Sequence, residues 1–279
     1  MKFGYTINNK LMMNSNGKLL GVEVNDPYNP LGLPPNTMRV RTNDGQPPVN
    51  GNYDSAILVK GTTDVYDVYS SRFDWSNLLK DSTNVVEVLG ANTQSTMYKV
   101  NNMNRLFNGC TSLTSVALFD TSNVLDMLTM FYNCTSLTTV PLFNTSRVSR
   151  MTGMFSGCSS LTTVPLFNTS NVTDMGTMFN KCTSLTTVPL FNTSNATNMS
   201  LMLSNCTSLT TVPLFNTSNV TDMSFMLHNC TKVESGALAL YQQASSQATI
   251  PSHSYTFAHC GVDTETGSAE LAQIPSDWK

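Results

Sequence analysis

The sequence predicts an α/β repeat solenoid, a stack of rungs that each hold a short strand and a short helix, and three observations lead to that fold class. Cys110, Cys134, Cys158, Cys182, Cys206 and Cys230 are each 24 residues from the next. The stretches from Cys158 to Lys181 and from Cys206 to Asn229 are almost one sequence written twice, and a fixed period of this size with regularly placed Leu is the mark of a solenoid. Leu, Val, Met and Phe return at fixed places in every unit, so a lone unit cannot cover its apolar residues and stacking does it instead.

Within a unit, the spacing of Leu185, Val188 and Leu190 approaches the alternation of a strand, and Pro189 keeps that strand short. Val172, Met175, Met178 and Phe179 are spaced as one face of a helical turn or two. Asn168, Thr169, Ser170 and Asn171 lie between the halves, where short polar side chains form a turn and accept the free N–H groups of a helix start. Stacked at roughly 4.8 Å, about six rungs make a rod on the order of 30 Å long. The Phe119, Phe143, Phe167, Phe191 and Phe215 column is expected in the core, and the Cys column as a row of small buried thiols. Asn144, Asn168, Asn192 and Asn216 are expected to form hydrogen-bonded ladders that serve the turn backbone, and the Thr pairs, such as Thr186-Thr187, a flat uncharged ladder.

Around the repeats the chain divides into residues 1–82, a small mostly-β N-terminal region that caps the first rung or attaches it elsewhere, residues 83–236, the solenoid, and residues 237–279, a helical C-terminal cap with a loop-rich tail. Asn16-Gly17 between two apolar runs is a strong hairpin signal, and Asn43, Asp44 and Gly45 follow the alternating Met38 to Thr42 in the same way. Asp64 to Tyr69 alternates, and Asp74 suits the cap of a short helix holding Trp75, Leu78 and Leu79. Ala237 to Ala248 reads as an amphipathic helix closing the last rung.

Composition narrows the function. Charged residues make up 12% of the chain, where about 25% is usual, so the surface is polar without being charged. With net charge −3 and no run of Lys or Arg, nucleic acid is not an expected partner. No apolar stretch is long enough to span a membrane, so membrane insertion is not expected either. The first ten residues lack the apolar stretch of a secretory signal.

No catalytic constellation is present, and no cofactor is expected. The pairs His228 with Cys230 and His259 with Cys260 invite a metal site, but their spacing matches no zinc pattern. Asp126, Arg150 and Asp174 share a column and alternate in sign, which suits a surface charge ladder rather than paired carboxylates. Surface recognition remains. Positions after the first Met and after the Phe differ from rung to rung, and among them Tyr132, Lys181, Leu201, Phe225 and His228 are the candidate partner-binding residues, because aromatics dominate interface energetics.

The strings SLTTVPLFNTSNVTDM and MFSGCSSL, recurring across residues 100 to 233, resemble the BspA-like leucine-rich repeats of bacterial surface proteins, as in mycoplasma lipoproteins and gut anaerobes. The flanks, with Pro34-Pro35, the run from Asp74 to Leu79 and the ending from Glu270 to Lys279, resemble repeat proteins of gut bacteria and of their phages. The resemblance implies a leucine-rich-repeat-like fold and a non-catalytic adhesin. Cell-surface members carry a leader that this N-terminus does not show. The expectation is therefore a phage virion adhesin or decoration protein, with a host cell-surface protein or glycan as partner and other assembly proteins bound through the N-terminal region. A bacterial cell-surface adhesin and a purely architectural virion protein are the alternatives.

Overall fold

A computed structural model describes residues 6–7, 10–11, 31–72, 74–93 and 99–279. β1 (Thr6–Ile7) and β2 (Lys10–Leu11) pair antiparallel, and the hairpin expected at Asn16-Gly17 lies outside the described residues. The next strands are β3 (Thr37–Thr42), β4 (Ser55–Leu58), β5 (Val65–Tyr69), β6 (Val85–Asn92) and β7 (Ser115–Val116), in one sheet of order β4-β5-β3-β6-β7. The turn at Asn43–Gly45 does not close a hairpin, because β3 lies between β5 and β6 and the chain leaves it for the sheet edge at β4. β6 meets β7 in parallel, so the sheet of the N-terminal region runs into the first rungs, and Met38, Val40 and Val68 share one core with the solenoid.

The rungs follow a ladder of parallel bridges, Asp74 to Asn102, Asp126, Arg150, Asp174, Asn198, Asp222 and finally Ser252. It opens at Asp74, inside the region expected to precede the solenoid, where the sequence suggested a short capped helix; turns are found instead. Its last step lies within the expected C-terminal cap.

The repeat half expected as a short helix is a run of tight turns. Along Met127–Cys134 alternate amides point different ways. Met130, Tyr132 and Cys134 donate to carbonyls three residues earlier at 3.1 to 3.2 Å, while Met127, Thr129, Phe131 and Asn133 donate to Arg150, Thr152, Met154 and Ser156 on the next rung at 2.8 to 3.0 Å. A helix would aim every amide along its own axis and leave neighbouring rungs unbonded, and a helix this short does not repay its nucleation. The turns satisfy each amide either locally or across the stack. Thr129 and Asn133, at φ 50 and 56, provide the reversals. The apolar face is nonetheless as expected, since Val172, Met175, Met178 and Phe179 are all fully buried.

The strand half is also reduced. β6, on the rung that Asp74 opens, and β7 are its regular strands among the described residues; beyond them, Thr138, Thr162, Thr186 and Thr210 each donate a single amide bond to the Thr of the rung before. The prolines remove a donor. The amides of Phe143, Phe167, Phe191 and Phe215 bond back to the proline carbonyl two residues earlier at 2.9 Å, a three-residue turn with Leu at its apex. That turn sends Phe inward and Leu outward. The Phe column is therefore core, whereas Leu190, expected to pack inward, is 60% exposed.

Polar ladders hold the stack. The Asn144, Asn168, Asn192 and Asn216 column does not bond from rung to rung as expected. Each side chain accepts the amide two residues on, at 2.9 to 3.1 Å, and so closes its own turn. Inter-rung bonds come from its neighbours, with Thr145, Thr169 and Thr193 hydroxyls donating to Asn168, Asn192 and Asn216 carbonyls. All seven cysteines are free and buried, and the thiols of Cys134, Cys158 and Cys182 donate to the carbonyls of Phe107, Phe131 and Phe155 at 3.0 to 3.1 Å.

After the Cys230 rung come α1 (Ala237–Ser245), the final rung, α2 (Glu265–Gln273) and a 3₁₀ turn at Ser276–Trp278. α1 ends before the expected Ala248 and buries Leu240 and Ala244. Trp278 closes the open end of the stack: its carbonyl accepts the Phe257 amide at 2.9 Å, and its ring stacks on His253 with centroids 4.0 Å apart.

Candidate functional site

The turn runs line up along one side of the solenoid, and their variable positions form columns on it. Arg105, Thr129, Gly153, Thr177, Leu201, Phe225 and Tyr255 occupy one column, all at positive φ. Four residues on, Gly109, Asn133, Gly157, Lys181, Asn205, Asn229 and His259 occupy a second such column. Glycine and asparagine tolerate this conformation, but bulky side chains pay about 1 kcal/mol or more.

Three of the five candidate residues meet here. Leu201 and Phe225 stand on successive rungs of the first column, and His228 lies edge-on to Phe225 with ring centroids 5.7 Å apart. The structure adds two residues that the sequence did not offer as partner-binding candidates. Tyr255 stacks on Phe225 at 5.2 Å, and His259 lies 6.1 Å from His228. Tyr132 shares the column of His228 but sits four rungs before it, and Lys181 shares that of His259 three rungs before; both are exposed and neither joins the cluster. The clue to Tyr255 and His259 was Phe257 and Cys260, which repeat the spacing of Phe131 with Cys134 and of Phe155 with Cys158. The insertion of α1 breaks the 24-residue period at that point and hides the last rung.

Partial burial, and then the neighbouring His259, hold the pKa of His228 below the ordinary histidine value. The cysteines behave in the opposite sense: burial pushes the Cys110 and Cys158 thiols up to about 12 and holds the other five well above the usual thiol range. Such thiols are hydrogen-bond donors in a core, with no thiolate to react. Cys230 and Cys260 are buried, whereas His228 and His259 lie on the outer side, so the pairs do not make a mixed site. Among the described residues no three His, Cys, Asp or Glu could together hold a metal ion, and no helix is long and apolar enough to cross a membrane.

Asp126, Arg150 and Asp174 do stand on successive rungs, with an ion pair of 2.8 Å between Arg150 and Asp126. Asp126, Asp174 and Asp222 also accept the amide two residues on, at 2.9 Å, as Asn102 and Asn198 do in the same column. Their task is to close turns. The cluster of Phe225, His228, Tyr255 and His259 offers ring faces for stacking and imidazole nitrogens for hydrogen bonds, which is the chemistry of recognition.

No curated protein matches the chain. Among solved structures it is similar to a leucine-rich repeat protein of T. pallidum, at 18% identity and TM-score 0.49, over 68% of this chain and 86% of that one. It is also similar to leucine-rich repeat proteins of Eubacterium ventriosum (19% identity, TM-score 0.36, 46% of this chain) and Bacteroides ovatus (18%, 0.34, 63%). The chain covers 37% of the Eubacterium protein and 55% of the Bacteroides one. The model of one family, described as Mycoplasma protein of unknown function, DUF285, matches residues 74–164 and 137–239. The first of these segments begins at Asp74, where the ladder begins, and the two together span more than half of the chain, which therefore belongs to the DUF285 family.

Proposed function

We propose that this protein is a non-catalytic binding protein whose solenoid presents the aromatic and histidine cluster of its final rungs to a partner on a host surface, protein or glycan. One observation carries the reading: four rings, Phe225, His228, Tyr255 and His259, gather on the last two rungs, three of them at φ 56 to 58, in columns that earlier rungs fill with single Arg, Thr, Gly, Leu, Asn or Lys residues. Strain of this kind persists where a side chain is needed for something other than stability. The rings sit side by side and partly exposed, which suits stacking on a sugar face or on a partner's apolar side chain.

In this reading the protein is a phage virion adhesin or decoration protein, held to its assembly through the N-terminal region. The alternative is a bacterial cell-surface adhesin of a gut anaerobe. Mass spectrometry of purified phage particles and of bacterial surface fractions decides between them, according to which contains the protein's peptides. Binding to a glycan array and to intact bacterial cells, compared with F225A and Y255A, tests recognition itself. Binding that falls at least tenfold in the variants supports it. If the native protein binds no glycan and no cell, the recognition reading fails and an architectural role stands.

A further inference from the structure

A second surface is unlike the first in every respect. Leu142, Leu166, Leu190 and Leu214 are 52 to 60% exposed and stand in one column on four successive rungs. The surrounding segments 138–143, 162–167, 186–191 and 210–215 all read TTVPLF, without a charge. On these same rungs the turn-side positions have drifted between Thr, Gly, Leu and Phe, so copying alone does not explain why the exposed leucines have not. The two ends of the column differ from its middle. Leu118 at one end and Leu238, at the start of α1, at the other are partly buried against the core.

We infer that this leucine ladder is the contact face of a homodimer, covered by the ladder of a second copy. The period of the face is the reason. A row of identical side chains at the rung spacing, given by the 5.2 to 5.6 Å between stacked Phe107, Phe131, Phe155 and Phe179, is matched in pitch by another such row. A twofold axis then lays leucine into the gaps between leucines along all four rungs and closes the assembly at two chains. The absence of charge fits an identical partner, since like charges would otherwise face one another across the axis.

The area fits as well. Four half-exposed leucines present on the order of 400 Å² of apolar surface, the size at which a patch marks an interface. With the flanking Thr and Pro columns, two copies bury roughly 1,200 Å² in total, the lower bound for a specific pair. Pairing over so small an area is concentration-dependent and is sought at micromolar concentrations. This inference does not rest on the recognition cluster, which lies on the turn side.

Sedimentation equilibrium of the full chain from about 1 to about 100 μM tests it. The native protein shifts from monomer to dimer over this range, and L190D, whose exposed position leaves the melting temperature of the dilute protein unchanged, stays monomeric throughout. Because all seven native cysteines are buried, L190C carries the one reactive thiol, and a short bismaleimide joins two copies of it. T173C, exposed on another side, is not joined. A native protein that remains monomeric at the highest concentration, or an L190D variant that still dimerises, overturns the inference.

Discussion

The turn side and the leucine side of this solenoid are built from the same rungs, yet they have opposite characters. On the leucine side one exposed residue recurs on four rungs with 52 to 60% exposure. On the turn side the comparable column changes at every step from Arg105 to Tyr255, and its bulkiest side chains gather at one end. A repeated column inside the core needs no special account, since Phe131 packs on Phe155 with rings 5.5 Å apart and 3° from parallel. The exposed Asn column closes its own turns, but an exposed leucine column has no such internal reason. The difference teaches that repetition suits a partner with the same period, whereas a local cluster suits one ligand at one place.

The largest predicted effect removes both surfaces at once. Met175 is fully buried in the middle of the stack, and Met175→Asp places a charge where no partner exists, at a cost on the order of 4 kcal/mol or more. The cooperative thermal transition seen by circular dichroism should be lost, and an unchanged melt would mean that the methionine column is not core.

Trp278→Ala separates the two surfaces. The ring packs on His253, Tyr241 and Phe257, so its removal costs about 3 kcal/mol, concentrated on the final rung that carries Tyr255 and His259. Cys260 should then react with a thiol reagent much faster than the six cysteines deeper in the stack, while dimerisation through the leucines persists. Uniform labelling of all seven would show that the rungs open together and that the end has no separate stability.

A smaller effect, of the opposite sign, tests whether strain on the turn side is kept for binding. Thr177 is β-branched at φ 55, and Thr177→Gly should stabilise the protein by about 1 kcal/mol, raising the melting temperature by a few degrees. Phe225→Gly relieves the same strain at φ 58 but should abolish ligand binding. If both variants melt below the native protein, the left-handed positions are not strained in the way described.

How much of this was written legibly in the sequence follows from which interactions repeat. The period and the buried Met, Phe and Cys columns could be read, because each depends on a side chain meeting its own kind one rung away, whereas the variable positions divide, Tyr132 and Lys181 exposed but Gly153, Ser156 and Gly176 buried. The helix was misread because apolar spacing reports which side chains share a face and not where the amides point. Asn133 and Gly157 before their cysteines, both able to adopt positive φ, were the overlooked sign of turns. Leu190 was placed inside because Val-Pro-Leu-Phe looks like a strand, whereas the proline carbonyl captures the Phe191 amide and turns the leucine outward. Tyr255 and His259 were missed as surface candidates because α1 interrupts the repeat just before the rung that carries them.

The smallest predicted effect concerns protons, and it again separates the two sides, because the four TTVPLF segments of the leucine side hold no titratable side chain. His228 is held below its ordinary pKa of 6.5, first by burial and second by His259. A depressed histidine pKa means that the fold prefers the neutral ring, so as pH falls the unfolded chain takes up this proton before the folded one does. Stability from this group is thus fully present above the ordinary value and declines as pH drops through it towards the lower folded pKa. His259→Asn removes the second cause while leaving the burial of His228. Between about pH 7.5 and about pH 5 the variant should lose less stability than the native protein, read as a smaller fall in the urea midpoint, and the difference is small because the ring is largely solvated. Equal falls in the two proteins would show that the imidazoles do not sense each other, leaving burial as the single cause of the shift.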